Sequence, residues 1–267
     1  MGYSGHMSET SLLERIRHGD GPAMEELLGL HEARIYRFGL RMCGNEADAR
    51  NVVQETLLAA FKNLSSFRAD SQLSTWLFQI ARSFCLKQRR RHEGEPATHE
   101  LLESREPQQV ASDHSSSDDR AHAQQVGEVI SSALASLSPD FREAIILRDV
   151  EGLSAEEAAR VVGVEPGALK SRLHRARLLL KQQLSAVLEE RPDGLACPEL
   201  AQELSAYAGS DIDQAACERI EQHLLSCESC RRSCEVLKRT VSLCRAIPDG
   251  EVPAPVKAAV RRALRAR

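Results

Sequence analysis

The chain has 267 residues, of which 42% are hydrophobic and only 4% are aromatic. Its length suggests two or three small domains, and its richness in helix-forming residues with few β-branched runs predicts an all-α fold. The formal net charge is −4. The sequence contains neither an apolar run of about 18 residues nor a secretory signal, which argues against a membrane protein, so we expect a cytoplasmic location and no membrane partner.

The first helical block is predicted at residues 8–91. Apolar residues recur there at helical spacing, as in "ARIYRFGLRMCG" and "VVQETLLAAFKNL". The block carries 13 basic and 10 acidic side chains, a local charge of +3 that suits an anionic partner better than the overall charge does. Residues 1–7, "MGYSGHM", precede the block and are interpreted as a cloning remnant.

Residues 92–125 are predicted to form a flexible acidic linker. They contain two basic and eight acidic side chains, and the helical period is lost in "HEGEPATHELLESREPQQVASDHSSSDDR". Such a segment buries too little apolar surface to offset the entropy cost of ordering the chain. The linker therefore separates the first helical block from a second one.

The second helical block, residues 126–190, contains the pattern of a helix-turn-helix in "GLSAEEAARVVGVEPGALKSRLHRARLLLKQQL". Ser154 can cap the first helix while Glu157 reciprocates three residues later. Gly163 suits the tight turn, and Pro166 suits the first turn of the second helix. The pattern predicts two helices joined by a short turn, as in proteins that read DNA.

The second helix of this pair has an apolar side and a basic side. Leu169, Leu173 and Ala176 form the stripe predicted to face inward. The residues predicted to meet base edges and phosphates in a major groove are Lys170, Ser171, Arg172, His174, Arg175 and Arg177. The alternative is a solvated basic face on a bundle helix, and the combined spacing, capping and turn favour the DNA-reading interpretation.

Two long stretches resemble a known family. "LSPDFREAIILRDVEGLSAEEAARVVGVEPGALKSRLHRAR" resembles region 4 of an extracytoplasmic-function (ECF) sigma factor of bacterial RNA polymerase, and residues 46–91 resemble region 2. Together with the acidic linker the resemblance covers about residues 11–188. Asn51 and Glu165 depart from the family pattern, in which an acidic residue and a small capping hydroxyl are common. The resemblance implies a non-enzymatic factor whose partners are core RNA polymerase and promoter DNA.

The resemblance also implies site residues in region 2. The helix that family members use to grip the polymerase would contribute Asp48, Gln54, Glu55 and Leu58. The residues implied in contacts with the −10 promoter element are Lys62, Asn63, Ser66, Phe67, Arg68, Trp76 and Arg82. Further phosphate contacts would come from Lys87 and residues 89–91. Two alternatives stay open, namely that the two carboxylates are merely solvated and that the tryptophan is a core residue.

The last part of the chain, residues 191–247, is rich in cysteine. It includes six of the eight cysteines, and "IEQHLLSCESCRRSC" places one histidine and three cysteines at intervals of four, three and four. These four side chains would share one face of a single helix, but one straight helix cannot surround an ion. We therefore expect a break inside "SCESC", capped by Ser226 or Ser229, and a ligand from outside this stretch.

A four-residue ligand set follows from the pattern "C…HxxxCxxC", which resembles the zinc-binding anti-sigma domain. Its members here are Cys197, His223, Cys227 and Cys230. Three thiolates and one imidazole make a closed tetrahedral zinc set, although Cd²⁺ and copper accept the same donors. Buried cysteines without a metal are the alternative. Further ligands, or a redox pair, could come from Cys217, Cys234 and Cys244.

The combination of an ECF sigma factor with a cysteine-rich end most resembles the CorE-like group of metal-responsive sigma factors. This resemblance implies that metal binding controls transcription, and we expect the metal-bound form to be the one that transcribes. The alternative is a redox-responsive sigma factor with a structural zinc and a thiol–disulfide switch. A zinc enzyme is disfavoured because the sequence has no HExxH motif. Residues 248–267 are predicted to end the chain with a basic helix, "VKAAVRRALRAR".

Overall fold

The computed structural model describes residues 9–18, 20–64, 67, 71–94, 117–184, 197–246 and 252–265, all of which are helical, turn or loop. The first helices are α1 (Glu9–Arg17), α2 (Gly21–Cys43), α3 (Glu46–Asn63) and α4 (Leu73–Gly94). Next come α5 (Ser117–Ser136), α6 (Pro139–Ile145), α7 (Ala155–Val162) and α8 (Pro166–Gln183). The last are α9 (Ala201–Gly209), α10 (Gln214–Ser226), α11 (Glu228–Arg245) and α12 (Ala254–Arg265). The all-α prediction is confirmed for these residues.

Helices α1 to α4 pack together as a first helical unit. The side chain of Asp20 accepts a hydrogen bond from the Ala23 amide and caps α2, and Asn45 caps α3 in the same way. Between these two helices the chain reverses at Gly44, whose φ of 78° favours glycine. The turn brings α2 and α3 side by side, and their apolar faces share a core with α4.

The predicted linker is partly helical at both of its ends. Helix α4 continues to Gly94, and α5 begins at Ser117, inside the segment predicted to be flexible. The "SDDRAHAQQV" start of α5 places serine and acidic residues at a helix N-terminus, followed by the good helix formers Ala and Gln. Sequence polarity therefore overestimated the length of the linker, and residues 95–116 lie outside the described part of the chain.

Helices α5 to α8 form the second helical unit, and its helix-turn-helix has the predicted caps. The Ser154 hydroxyl accepts from the Glu157 amide at 3.1 Å, and the Glu157 carboxylate accepts from the Ser154 amide at 2.8 Å. Gly163 ends α7 with a φ of 78°, and Pro166 opens α8. The inward stripe of α8 at Leu169, Leu173 and Ala176 is buried as predicted.

One turn of π-helix, Ile146–Val150, follows α6 directly. The wider turn carries Arg148 and Asp149, and both side chains are buried. π-helical turns are uncommon and recur at functional positions. Here the turn carries two charged groups into the boundary between the second helical unit and the residues that follow Cys197.

The cysteine-rich unit, Cys197–Ala246, consists of one 3₁₀ turn and helices α9 to α11. It has a small core of its own, built from Leu204, Ile220, Cys230 and Cys234. The predicted break is present, because α10 ends at Ser226 and α11 begins at Glu228. The residue between the helices, Cys227, occupies the N-cap position of α11, where a serine had been predicted.

The units are packed against one another. A single large core includes residues of both helical units, and Val236 and Cys244 of α11 also join it. Helix α12 lies on α2 and α3, with Val252 and Val256 buried. None of the described helices combines the length and apolar character needed to cross a membrane.

Ion pairs cross the boundary between the first and second helical units. Arg34 donates from Nε to a carboxylate oxygen of Glu151 at 3.2 Å and from Nη2 to its backbone oxygen at 2.9 Å. Arg82 of α4 donates to Glu143 of α6. Burial raises the pKa of both glutamates, while the paired arginines oppose that change. These contacts hold the two units in one arrangement.

Candidate metal centre and nucleic-acid interface

The predicted ligand set is brought together in the cysteine-rich unit. One ligand atom from each of Cys197, His223, Cys227 and Cys230 lies within 4.8 Å of all the others. Cys197 precedes the 3₁₀ turn that leads into α9, His223 lies near the end of α10, and Cys230 lies in the first turn of α11. Three segments therefore converge on one point, as the sequence pattern predicted.

The donor set fits a soft metal ion. The Nε2 atom of His223 is buried and has no hydrogen-bond partner among the described residues, which is costly unless a further group satisfies it. The sulfurs of a tetrahedral zinc site with bonds of about 2.3 Å would be about 3.8 Å apart, so the gathered ligand atoms need to move by about 1 Å at most. The site can hold Zn²⁺ through three thiolates and one imidazole.

The protonation of the thiols differs within the cluster. The pKa of Cys227 is lowered, first because the backbone N–H of Cys230 points at its sulfur and then because the Cys230 thiol does so as well. Burial raises the pKa of Cys230 to about 12. Metal binding would have to displace the proton of Cys230, so it would be accompanied by release of protons.

The three cysteines named as further ligands do not belong to this cluster. Cys217 contacts the Glu221 carboxylate at 3.6 Å, and Cys234 is buried in the small core. Cys244 is buried in the large core, near Asp149. Within the described part of the chain they form no second group of convergent metal ligands, because helical spacing put them on different faces and at different depths.

The predicted DNA-reading side of α8 is divided between two environments. Arg172 and Arg175 line a cavity of about 670 Å³ together with Arg89 of α4. His174 is half-buried, and burial lowers its pKa. The hydroxyl of Ser171 lies 3.5 Å from the Gln202 amide of α9. Helix α9 therefore packs beside residues that were predicted to meet DNA.

Arg177 was predicted to point outward, and this prediction is wrong. Its side chain is 1% exposed and donates from Nε and Nη2 to the Asp149 carboxylate at 2.8 and 2.5 Å. It also donates to the Ser205 backbone oxygen at 2.8 Å and to Asp211 at 3.1 Å. The partners lie in the π turn and in the cysteine-rich unit, which the helical period of α8 could not reveal.

The same acidic residue of the cysteine-rich unit also holds Arg148. The guanidinium of Arg148 donates to the Asp211 carboxylate and, at 2.7 Å, to the Gly209 backbone oxygen. The fit is close, because a Cβ atom added to Gly209 would lie 2.2 Å from Nη2 of Arg177. We call these five residues, Arg148, Asp149, Arg177, Gly209 and Asp211, the arginine lock.

The predicted polymerase-binding residues all lie on α3. Glu55 is exposed and Gln54 is half-buried, whereas Leu58 packs partly against the large core. Asp48 is buried and accepts a hydrogen bond from the Asn45 amide at 2.7 Å, so it also supports the start of the helix. The four residues share one helix, but their environments differ.

Two aromatic residues of the predicted −10 site lie against each other. The rings of Phe67 and Trp76 have centroids 5.3 Å apart and are tilted by 40°. Both pack partly against the large core, so Trp76 has the core contact that was weighed as an alternative to base contact. Ser66 and Arg68 lie outside the described residues.

The polar residues predicted for the −10 site do not lie together in one place. Lys62 and Asn63 are exposed at the end of α3, where the Asn63 amide donates to the Ala59 backbone oxygen at 2.8 Å. Arg82 is paired with Glu143 and thus faces the second helical unit. A phosphate contact by Arg82 requires this ion pair to open.

Comparison with known proteins decides the family. Residues 27–95 match Sigma-70 region 2, residues 127–180 match Sigma-70 region 4, and residues 197–231 match a zinc-finger family. The chain is an ECF sigma factor. It is therefore a factor for promoter-directed transcription, with a zinc-finger-like segment behind its two sigma regions.

The relatives of this sigma factor include curated proteins and solved structures. The ECF RNA polymerase sigma factor SigE of Mycolicibacterium smegmatis is 33% identical over 61% of this chain and 62% of its own length. SigW of Bacillus subtilis is 26% identical over 64% of this chain and 94% of its own. The sigma factor RpoE of Bartonella quintana, solved with the anti-sigma factor NepR, is 30% identical, with 60% and 95% of the chains covered and a TM-score of 0.48.

Sequence reasoning missed the partners within the arginine lock. Asp149 follows an ordinary apolar helix pattern, and Asp211 lies in the polar turn "GSDID". The sequence neighbour of Asp149, Arg148, pairs with Asp211 instead, and no neighbour of Asp211 in the sequence indicates an arginine partner. A weak signal was present in Gly209, because glycine near the end of a helix can mark a close approach of another group.

Proposed function

We propose that this sigma factor directs RNA polymerase to promoters with −35 and −10 elements, and that metal binding by its cysteine-rich unit controls this activity. One observation carries the proposal: the four-ligand cluster and Asp211, which binds arginines of the second helical unit, belong to the same small unit. The resemblance to the CorE-like group supports the same control.

Promoter recognition would use α8 for the −35 element. Lys170, Arg172 and Arg175 carry the charges that can pair with guanine edges and phosphates in the major groove. In the present arrangement α9 packs on α8, and we infer that the helix enters a groove only when the cysteine-rich unit moves aside. Release of this unit would be a requirement for transcription.

Metal binding can act on that release through the position of α9. Cys197 lies directly before the turn that begins α9, so an ion that draws its sulfur toward the other ligands would shift the helix that carries Gly209. The arginine lock tolerates little displacement, since Gly209 has no free space around it on the Arg177 side. A bound ion would thereby loosen the lock and favour the open, transcribing form.

The cluster itself would be the resident metal site. Cys197, His223, Cys227 and Cys230 would hold Zn²⁺, or Cd²⁺ or copper in its place, and the ion would supply a rigid link between α9, α10 and α11. Because such a link exists only in the folded unit, metal should also stabilise this unit against unfolding.

The test is run-off transcription with the purified full chain, core polymerase and a panel of Zn²⁺, Cd²⁺ and copper salts. The C227S/C230S double variant should lose bound metal, measured by elemental analysis, and should lose metal-dependent transcription. The matched control is Cys217→Ser, which removes a thiol of the same unit outside the cluster and should behave like the parent. Metal-dependent transcription by a double variant that binds no metal would refute the proposed control.

A redox switch at the same cluster is the second candidate function. The observation that favours it is the gathering of three thiols within 4.8 Å, which permits disulfide formation once a metal leaves. The two candidate functions predict different responses to a metal chelator and to an oxidant. Metal control predicts loss of transcription after chelation under reducing conditions, whereas the redox candidate predicts a response only when an oxidant is added.

A further inference from the structure

Two cysteines of the first helical unit lie together, far in the sequence from the metal ligands. Cys43 is the last residue of α2, and Cys85 lies on α4. Their Sγ atoms are 3.4 Å apart and share a hydrogen bond. Residues 44–84 separate the two thiols, so it is the packing of α2 against α4 that brings them together.

The pair differs from buried core cysteines in its access to small molecules. Both residues line a cavity of about 520 Å³ at the boundary between the first and second helical units, and Asp48, Arg89 and Arg142 line it as well. Cys43 is half-buried, whereas Cys85 is 5% exposed. A small oxidant can therefore reach Cys43 through the cavity, and the Cys85 sulfur lies directly behind it.

The two thiols are also chemically unequal. A Cys43 thiolate would accept a hydrogen bond from the Cys85 thiol, and this bond lowers the pKa of Cys43. The positive charge of Arg142 also lowers this pKa, whereas burial and the negative charge of Asp48 raise it. The same hydrogen bond, followed by burial, raises the pKa of Cys85. Such asymmetry is typical of an attacking thiol paired with a resolving thiol.

We propose that Cys43 and Cys85 form a dithiol that a hydroperoxide converts into a reversible disulfide, independently of the metal cluster. The proposal rests on the 3.4 Å contact and on the cavity that exposes one partner. It adds a modification site to the first helical unit and does not depend on metal control of transcription.

The reaction proceeds in two steps. The Cys43 thiolate attacks one oxygen of hydrogen peroxide, so an S–O bond forms, the O–O bond breaks, and hydroxide leaves and takes up a proton to become water. The Cys85 thiol then attacks the sulfenic sulfur of Cys43, an S–S bond forms, and the hydroxyl group leaves with the Cys85 proton as a second water. Two thiols are oxidised and one peroxide is reduced to two waters.

The disulfide would join the end of α2 to α4 beside a contact between the units. Arg142 of α6 donates to the backbone oxygen of Met42 at 3.4 Å, next to Cys43. A covalent link across a loop of this length removes freedom from the unfolded chain, and we expect the thermal midpoint to rise by at least about 5 °C.

The test uses the full chain treated with hydrogen peroxide, with and without Zn²⁺, followed by alkylation of free thiols and trypsin digestion. The expected product is a linked pair of peptides 42–50 and 83–87, separated again by dithiothreitol and formed equally with and without zinc. A Cys43 that stays reduced, proceeds to sulfinic acid, or pairs with a cysteine of residues 197–246 would overturn the proposal, as would an unchanged thermal midpoint of the linked protein.

Two variants assign the roles of the thiols. In Cys85→Ala, Cys43 should stop at the sulfenic acid and be trapped by dimedone. In Cys43→Ala, Cys85 should stay reduced at the peroxide concentration that links the parent, and its oxidation at the parental rate would refute the role of Cys43. The control variant is Cys217→Ser, which leaves both Cys43 and Cys85 in place. In this variant the linked peptide pair should form as in the parent.

Discussion

The four-ligand cluster lies within the cysteine-rich unit, whereas the arginine lock joins Gly209 and Asp211 of that unit to Arg148, Asp149 and Arg177 of the second helical unit. Three of the four cluster ligands lie within eight residues of one another, whereas the lock joins Asp149 and Arg177 to Asp211 across more than 30 residues. The cluster ligand atoms lie within 4.8 Å of one another, a spacing that a metal ion can fit, whereas Gly209 in the lock leaves no room for a Cβ atom against Arg177. Most ligands of a binding site can thus be encoded by local spacing, while the contact that would transmit its state is encoded by tertiary packing.

The largest expected effect comes from breaking the lock at its centre. Arg177→Ala would leave Asp149, which is 0% exposed, as a buried carboxylate without its main partner. Removal of one member of a buried ion pair costs about 3–5 kcal/mol of unfolding free energy. Urea unfolding should show this loss, whereas Arg172→Ala, at a contact of 3.7 Å between partly exposed groups, should change stability by less than about 1 kcal/mol. Equal losses in the two variants would contradict the assignment.

A smaller effect should come from filling the space beside the lock. In Gly209→Ala the new Cβ atom would lie 2.2 Å from the Arg177 guanidinium, which its ion pairs hold in place. Overpacking of this kind costs about 1–3 kcal/mol. The control is Gly29→Ala, because nothing lies within 4 Å of that position on α2 and the substitution should be neutral or stabilising. Thermal unfolding of both variants compares the two sites, and a gain in stability for Gly209→Ala would be evidence against the close fit.

The exposed side of α8 offers a contrast with the buried lock. In the presence of Zn²⁺, replacing Arg175 with Ala should weaken binding to a −35 duplex by about 1–3 kcal/mol if it pairs with a base edge, while leaving unfolding unchanged. Fluorescence anisotropy against duplexes with single-base changes measures both affinity and base preference. If both are retained in the variant, Arg175 does not read the −35 element.

The smallest expected effect concerns the support of the helix-turn-helix. Ser154→Ala removes one half of the capping box and should cost about 1 kcal/mol of unfolding free energy. Ser154→Asp retains an acceptor and should stay close to the parent in the same urea titration. A loss of several kcal/mol in Ser154→Ala would mean that Ser154 does more than cap α7.

The sequence predicted those features that depend on neighbours along the chain. Helical periods, the capping box at Ser154, the left-handed turn at Gly163 and the ligand spacing around Cys227 follow from local chemistry, and all of them are present. The burial of Arg177 was mispredicted, because an arginine on the polar side of a helix is ordinarily solvated. Only the docking of a second unit, which supplies Asp211, makes its burial favourable.

The contacts of the thiols likewise depend on tertiary packing that the sequence does not reveal. Cys43 and Cys85 are isolated cysteines in the sequence, and their contact depends on how α2 packs against α4. Cys217, Cys234 and Cys244 are close in sequence to the ligands but differ in depth and direction. Local spacing therefore identified three of the four cluster ligands, and the resemblance to a zinc-binding domain supplied Cys197, but neither revealed the additional pair or the separation of the other three.

Under the proposed control, the metal state acts on promoter recognition through the arginine lock. The most direct measurement is run-off transcription by Asp211→Ala with and without Zn²⁺, because this change removes the carboxylate that binds both Arg148 and Arg177 but leaves the cluster intact. The control is Glu203→Ala, at a partly exposed pair on the same unit. We expect that the parent and the control need metal, whereas Asp211→Ala transcribes equally with and without it. An Asp211→Ala variant that binds metal, remains folded and still requires metal for transcription would contradict control through the lock.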